Sequence, residues 1–364
     1  MPVALAVLLA LAAPFSADDG EDVRILVARG DGTLELRGRG LERDGETARA
    51  VHPDRLSLSC RSGSLHGDGL PSALRGSTFR ADGKLELLGR SLRGEIELRC
   101  AKDRWTAINV LPIEEYLAAV LGGEMSPSFP RAALEAQAVA ARTYAIERKM
   151  EARTQGRAWH LDSTALSQVY RGAGWEDPRT QEAARATRGE ILAVGYFPVE
   201  AYFHASCGGR TETGAEALGR EQPYLRSVSC PCGGHSPWSH WSVRVTPDEL
   251  SRLARRLLGG SEVSGLSVVA RSSTGRAKTL LVETSSGPRR IGASELRALL
   301  GYARLPSLWF DVRAERSAFV FEGRGAGHGA GLCQWGARAM ALAGSGYREI
   351  LAHYYPGTSI VRIY

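Results

Sequence analysis

The sequence predicts an α+β protein, a β-rich N-terminal module followed by a mixed helix and sheet region. Two observations carry that reading. From Val23 to Trp105, apolar and polar residues alternate in short runs, "VRILVARG", "TLELRGRG", "RLSLSCRSG" and "KLELLGRSLRGEIELRC", broken by Gly, Asp and Ser turns. A period of two is the mark of half-buried antiparallel strands. After Trp105 the period changes, and helical spacing is interleaved with further strand-like runs to the last residues. The expected divisions are an export signal over 1–17, the β-rich module over 18–105 and the mixed region over 106–364.

The elements follow in order. Val3 to Phe15 is almost wholly apolar and leads through small residues into Asp18-Asp19-Gly20. It is shorter than the roughly 20 residues of a spanning helix, so it reads as a cleaved signal peptide. No later stretch is long and apolar enough to span a bilayer, which predicts a secreted or periplasmic protein of the cell envelope. In "AINVLPIEEYLAAVLGG", Ile113, Leu117, Val120 and Leu121 share a helical face, and Gly122-Gly123 reads as its stop. Pro127 and Pro130 punctuate a loop, and Arg131 to Met150 is an alanine-rich helix. "SQVYRGAGWED" reads as a short strand and turn, Thr180 to Thr187 as a helix, and "EILAVGYFPVEAYFHASCGG" as a hairpin. Glu249 to Leu258 is a further helix, and Gly265 to Gly301 is a hairpin followed by a helix.

A net charge of +6 suits an anionic partner. The arginines are spread among acidic neighbours, however, with no basic run interleaved with aromatics, and this argues against nucleic-acid binding. The six cysteines form an even set, and an oxidising compartment allows disulfides. Cys60 and Cys100 fall in the strand-rich module and are expected to bridge.

Three constellations could carry chemistry. Glu124 lies between the glycine pair and the proline loop, with Val120, Leu121, Met125 and Phe129 near enough in sequence to bury it partly. Partial burial is what keeps a carboxylic acid protonated for glycosidic cleavage, although a solvated loop glutamate reads the same way. Gln137 and Tyr144, seven apart on the next helix, share a face and could reach the same cleft. In "GRGAGHGAGLCQWGA", glycines around His328 allow close backbone approach to a ligand, and Gln334 with Trp335 suits a sugar. That loop lacks the GxxxxGK[ST] spacing of a phosphate loop. Finally, "FHASCGGRT" and "SCPCGGH" offer His204, Cys207, Cys230, Cys232 and His235, with Cys333 as a further ligand. Structural zinc takes four N or S ligands, and a disulfide with free thiols is the competing outcome.

Together, "NVLPIEEYLAAVLGGEMSPSFPRAALEAQAVAARTYAI", "QVYRG", "GHGAGLCQWGARAMA" and "YREILAHYYPGTSI" resemble the stage II sporulation protein D family, the SpoIID/LytB domain, over Ile108 to Tyr364. The resemblance implies a SpoIID-like catalytic region that cleaves peptidoglycan glycan strands as a lytic transglycosylase, preferring strands stripped of stem peptides. It makes Glu124, the glutamate of the "GEM" motif, the catalytic acid, and it sets Arg142, Tyr170, His328 and Gln334 at motif positions that line the cleft. Such a reaction needs one carboxyl group and no cofactor. Zinc occurs in some relatives, but their ligands do not map onto matching positions here, so a structural zinc at the cysteines rests on their own spacing. Members named amidase enhancers imply an alternative: a non-catalytic wall protein that stimulates a cell-wall amidase.

Overall fold

The computed structural model describes residues 21–44, 50–52, 54–67, 70, 74–164, 168–234 and 236–364. The expected export signal, 1–17, lies outside the described residues. The chain mixes helices and sheets as an α+β protein and divides into two compact units. Unit 1 is Met1–Glu200 with Ser359–Tyr364, and unit 2 is Ala201–Thr358.

The alternating runs of unit 1 form two sheets. One has seven strands, in the spatial order Leu161–Asp162, Asp22–Gly30, Arg104–Pro112, Glu95–Ala101, Gly76–Arg80, Leu41–Arg43 and Ala50–His52. The other has five: Ser64–Gly67, Arg55–Arg61, Thr33–Arg37, Leu85–Leu87 and Arg90–Leu92. Alternation sends Leu56, Leu58 and Cys60 of Arg55–Arg61 inward and its other residues toward solvent. Cys60 is bonded to Cys100, which lies in the seven-stranded sheet, so the disulfide joins the two sheets. The division expected at residue 105 falls inside Arg104–Pro112, which pairs with Asp22–Gly30 on one side and Glu95–Ala101 on the other.

That strand runs directly into helix α1, Ile113–Glu124, with Pro112 as its cap. Helix α2, Arg131–Thr154, follows Pro130 and buries Ala133, Ala136, Ala138, Ala140 and Ala141. These short side chains let it pack closely against α1, against α3 (Pro178–Ala186) and against the strand Glu190–Val194. Asp177 caps α3, accepting from the Arg179 N–H while Thr180 reaches back to its backbone. Glu190–Val194 pairs with Phe197–Pro198 on one side and on the other with Ser359–Arg362, the returning C-terminal segment of the unit. That return is fastened by the Ile363 N–H donating to the Gly189 carbonyl at 3.0 Å and by Tyr364 Oη donating to Glu114 at 2.6 Å.

The glycine pair does not stop α1. The helix runs through Gly122 and Gly123 and ends at Glu124, because what the glycines provide is space. A Cβ on Gly122 would lie 1.9 Å from the Trp175 carbonyl oxygen, and one on Gly123 would lie 2.5 Å from that of Val169. The segment pressed against them is irregular with a 3-10 turn at Ala173–Trp175, where a short strand was expected.

In unit 2, Trp241–Val245, Phe319–Gly323 and Phe310–Ala314 form one sheet. Val263–Arg271, Ala277–Thr284 and Arg289–Gly292 form a second, ahead of the helix Ala293–Leu300. Leu250, Leu280, Leu296, Phe310 and Phe321 share their core. The helix expected at Glu249–Leu258 covers Pro247–Leu253 and is capped by Thr246. The hairpin expected across 190–209 stops at Pro198. Phe203–His204 instead pairs in parallel with Leu332–Cys333, which leads into the helix Gln334–Leu342. Among the described residues, no helix is long and apolar enough to cross a membrane.

Candidate functional site

Glu124 is the last residue of α1 and is half-buried, and its sequence neighbours Val120, Leu121, Met125 and Phe129 are all buried. Its Oε1 accepts the Val169 N–H at 2.6 Å. Burial first, and the Glu124 charge second, push the Tyr116 phenol well above its ordinary value, so it stays a hydroxyl. That hydroxyl donates to Gln168 Oε1 at 2.6 Å, and Gln168 Nε2 donates to the Ala141 carbonyl of α2 at 3.1 Å. The segment holding Glu124 is therefore bound to both helices. The phenol ring of Tyr116 packs 5.3 Å from that of Tyr170.

The residues expected around Glu124 separate into different roles. Tyr170 is buried and donates to Asn109 Oδ1 at 2.6 Å, and the Asn109 amide donates in turn to the Arg93 and Glu95 carbonyls. It anchors the segment to the sheet rather than lining a cleft. Arg142 is wholly buried and grips Glu114 with two bonds of 2.8 Å, and its remaining donors go to Thr187 and to the carbonyls of Ala184 and Glu190. Burial pushes Glu114 up, but Arg142 outweighs it and holds the carboxyl below its ordinary value. Arg142 thus fastens α2 to α1 and α3, and its guanidinium faces protein on every side. Tyr144 is buried beside Arg148, whose guanidinium lies 5.4 Å from its ring. Gln137 is wholly buried, and among the described residues neither of its amide atoms has a hydrogen-bond partner. An unsatisfied buried polar atom costs about 1–3 kcal/mol. The amide sits one turn before Ala141, the residue that receives Gln168, on the same face of α2. Tyr116, Gln168 and the Val169 amide were missed from sequence. Only Tyr116, a polar tip on the apolar face of α1, left a signal there.

In unit 2 the glycine loop is a set of left-handed turns, with φ of 81° at Gly325, 104° at Gly327, 93° at Gly329 and 70° at Gly331. They fold the loop so that both nitrogens of His328 are engaged. Nε2 lies 2.9 Å from the Phe203 carbonyl, and Nδ1 accepts the Ala330 N–H at 3.2 Å. This fixes the tautomer as Nε2–H, and burial pushes the imidazole down to about 4. His328 is a neutral strut of the loop. Gln334, also buried, opens the helix Gln334–Leu342.

Cys207, Cys230, Cys232 and Cys333 are all buried, and their sulfurs lie within 4.8 Å of one another. No disulfide joins them. His204 stands apart from the group, with Nδ1 turned 3.0 Å from the Ala330 carbonyl. His235 lies outside the described residues. The Cys207 and Gly336 N–H groups both donate to Cys333 Sγ at 3.3 Å, and Cys230 Sγ lies 3.1 Å from Tyr354 Oη. A Cβ on Gly336 would lie 2.4 Å from Cys230 Sγ, so glycine lets the helix close over the cluster. Hydrogen bonds from neighbouring thiols hold Cys232 far below the ordinary thiol value. Tetrahedral Zn–S bonds of about 2.3 Å set sulfurs roughly 3.8 Å apart, so this spacing fits zinc. Backbone N–H groups on sulfur are the outer contacts such a site uses.

The family model described as "Stage II sporulation protein" matches residues 101–194, and a domain of unknown function, DUF8618, matches residues 234–331. The chain is 32% identical to an uncharacterized protein of Brachyspira hyodysenteriae over 87% of its own length and 82% of the relative's. It is 30% identical to the stage II sporulation protein D of Bacillus subtilis over 70% of its length and 76% of the relative's. It is also 31% identical to the amidase enhancer of Bacillus subtilis over 67% of its length, and there it spans 40% of the relative.

Proposed function

Because the chain belongs to the stage II sporulation protein D family, we propose that it is a lytic transglycosylase of peptidoglycan in which Glu124 is the acid and then the base. One observation carries the reading: the Glu124 carboxyl is half-buried and held by the Val169 amide at 2.6 Å, at the end of α1. The acid protonates the oxygen between MurNAc C1 and GlcNAc, and the C1–O bond breaks. The C6 hydroxyl of the same MurNAc bonds to C1 and gives its proton to the Glu124 carboxylate, restoring the acid. The product is a 1,6-anhydro sugar, no water is consumed, and no second carboxyl group is needed, unlike the paired carboxylates of most glycosidases. The substrate is a strand from which stem peptides have been removed, and the protein works outside the cytoplasmic membrane after export through the 1–17 signal. In unit 2, Cys207, Cys230, Cys232 and Cys333 hold one zinc. With four thiolates the site is closed and leaves no position for substrate, so the metal braces the fold.

The relative named amidase enhancer supports a second reading, a wall protein that stimulates an amidase without cutting glycan. Purified protein incubated with peptide-stripped glycan separates the two. Release of anhydro-sugar ends by the protein alone, reduced about a thousandfold or more in Glu124→Gln, is the expected result. Wild-type turnover in that variant would remove Glu124 from the reaction. Stripped glycan left uncut, together with faster peptide release from intact peptidoglycan when the protein is added to an amidase, would favour the enhancer.

A further inference from the structure

The segment that holds Glu124 carries one side chain with no internal purpose. Gln168, Val169, Tyr170 and Gly172 are each fixed: by Tyr116 and Ala141, by Glu124 and the surface of Gly123, by Asn109, and by close approach to the Ser91 carbonyl at a φ of 88°. Between them Arg171 points to solvent. Its guanidinium lies 4.3 Å from the ring centre of Trp175, an indole that is 45% exposed although its own carbonyl is pressed against Gly122. Among the described residues, no carboxylate pairs with Arg171. The acid nearest in sequence, Glu176, is taken by Arg93 in two bonds of 2.6 and 2.8 Å and also accepts from Gln181. One residue, Tyr170, lies between Arg171 and Val169, whose amide meets Glu124, so the two Cα atoms are at most about 7 Å apart. An arginine backed by an aromatic plane and facing water presents a planar fork of donors matched to a carboxylate.

Resting on the transglycosylase reading above, we propose that Arg171, braced by Trp175, is the specificity residue that pairs with the free lactyl carboxylate of peptide-stripped muramic acid. A stem peptide converts that carboxylate to an amide and removes the charge, whereas amidase action restores it. The lactyl group is on the sugar ring whose C1 reacts, so a cation on the segment that meets Glu124 is where such a carboxylate arrives. Preference for stripped strands then follows from a charge this segment recognises, and not solely from the bulk of the peptide.

The test uses full-length protein and two glycans of equal length, one with free lactyl carboxylates and one in which they are converted to neutral methylamides. Wild type is expected to favour the carboxylate glycan in kcat/KM by roughly tenfold to a hundredfold, mainly through KM, the range of a hydrogen bond to a charged group. Arg171→Gln should bring that ratio close to one, and Arg171→Lys should keep part of it. Raised salt should shrink the wild-type ratio. An Arg171→Gln protein that keeps the wild-type ratio, or that loses the same factor on both glycans, overturns the proposal. If wild type cleaves neither glycan, it is the transglycosylase reading that has failed. Binding of the two glycans to Glu124→Gln, with and without Arg171→Gln, then still decides the role of Arg171: equal affinity for both strands in the parent refutes it.

Discussion

Gly122→Ala tests whether the position of Glu124 depends on close packing fifty residues away in sequence. The added Cβ would lie 1.9 Å from the Trp175 carbonyl oxygen, whereas real Cβ atoms essentially never come within 3.0 Å of such an atom. The obstacle is backbone, so no rotamer change relieves it, and α1 must part from the 168–175 segment by about 1 Å or more. Overpacking of this kind costs about 1–3 kcal/mol, which in a unit of this size lowers Tm by roughly 2 to 10 °C. The same displacement draws the Val169 amide off the Glu124 carboxylate, and a misplacement near 1 Å can cost about a hundredfold in rate. Differential scanning calorimetry and release of anhydro-sugar ends measure the two effects. Gly174→Ala is the control: it is in the same segment, has open space within 4 Å, and should stay within about 0.5 kcal/mol of wild type. A Gly122→Ala protein that melts and cuts like wild type would refute the reasoning.

Other outcomes follow from the same structure. Replacing Cys60 and Cys100 together by alanine removes a link across 40 residues and should lower stability by about 4 kcal/mol on the chain-entropy account; an unchanged urea midpoint would contradict it. Protein purified without chelator should carry about one zinc per chain, and stripping it, or Cys232→Ser, should lower Tm before altering the rate. Metal-free protein with an oxidised pair among these cysteines would make the cluster a disulfide staple instead. His160 accepts the Arg24 N–H at 3.1 Å, and burial, aided by Lys149 and Arg24, pushes its imidazole from 6.5 down to about 3. The unfolded chain therefore binds the proton first, so this contribution is complete above about pH 6.5 and is lost as pH falls toward 3. The loss is at most about 1.4 kcal/mol per pH unit. His160→Gln should flatten the acid limb of the stability curve, and an identical limb would count against this role.

What the sequence disclosed was what local periodicity encodes. Alternation located the strands around Leu56, Leu58 and Leu98, and helical spacing located α1 and α2, because in both the buried face is written within a few residues. Gly122 and Gly123 misled because a glycine that ends a helix and one that admits a neighbouring backbone look alike until Val169 and Trp175 are in place. Arg142 misled for a related reason. A buried arginine and a ligand-binding arginine differ only in whether something like Glu114 waits across the interface, 28 residues away. The cysteines were legible as a set, but the choice of Cys333 over His204 is made by the parallel pairing of Phe203–His204 with Leu332–Cys333, which turns the imidazole to Ala330. The orphaned amide of Gln137 is invisible to any pattern, since the sequence shows a glutamine but not the lack of a partner.

The pairing of Ser359–Arg362 with Glu190–Val194 has a consequence for synthesis. A growing chain completes every strand and helix of unit 1 up to Glu200, and must then emit all of unit 2 before the last partner appears. Throughout that interval Glu190–Val194 has an open edge, able to pair with any passing strand, and Glu114 lacks the hydroxyl of Tyr364. Unit 1 is therefore sealed after translation of its neighbour and not before. A nascent or truncated chain lacking residues 359–364 should be the species most exposed to mispairing, and most in need of a chaperone, even though nearly all of its core sequence is already present.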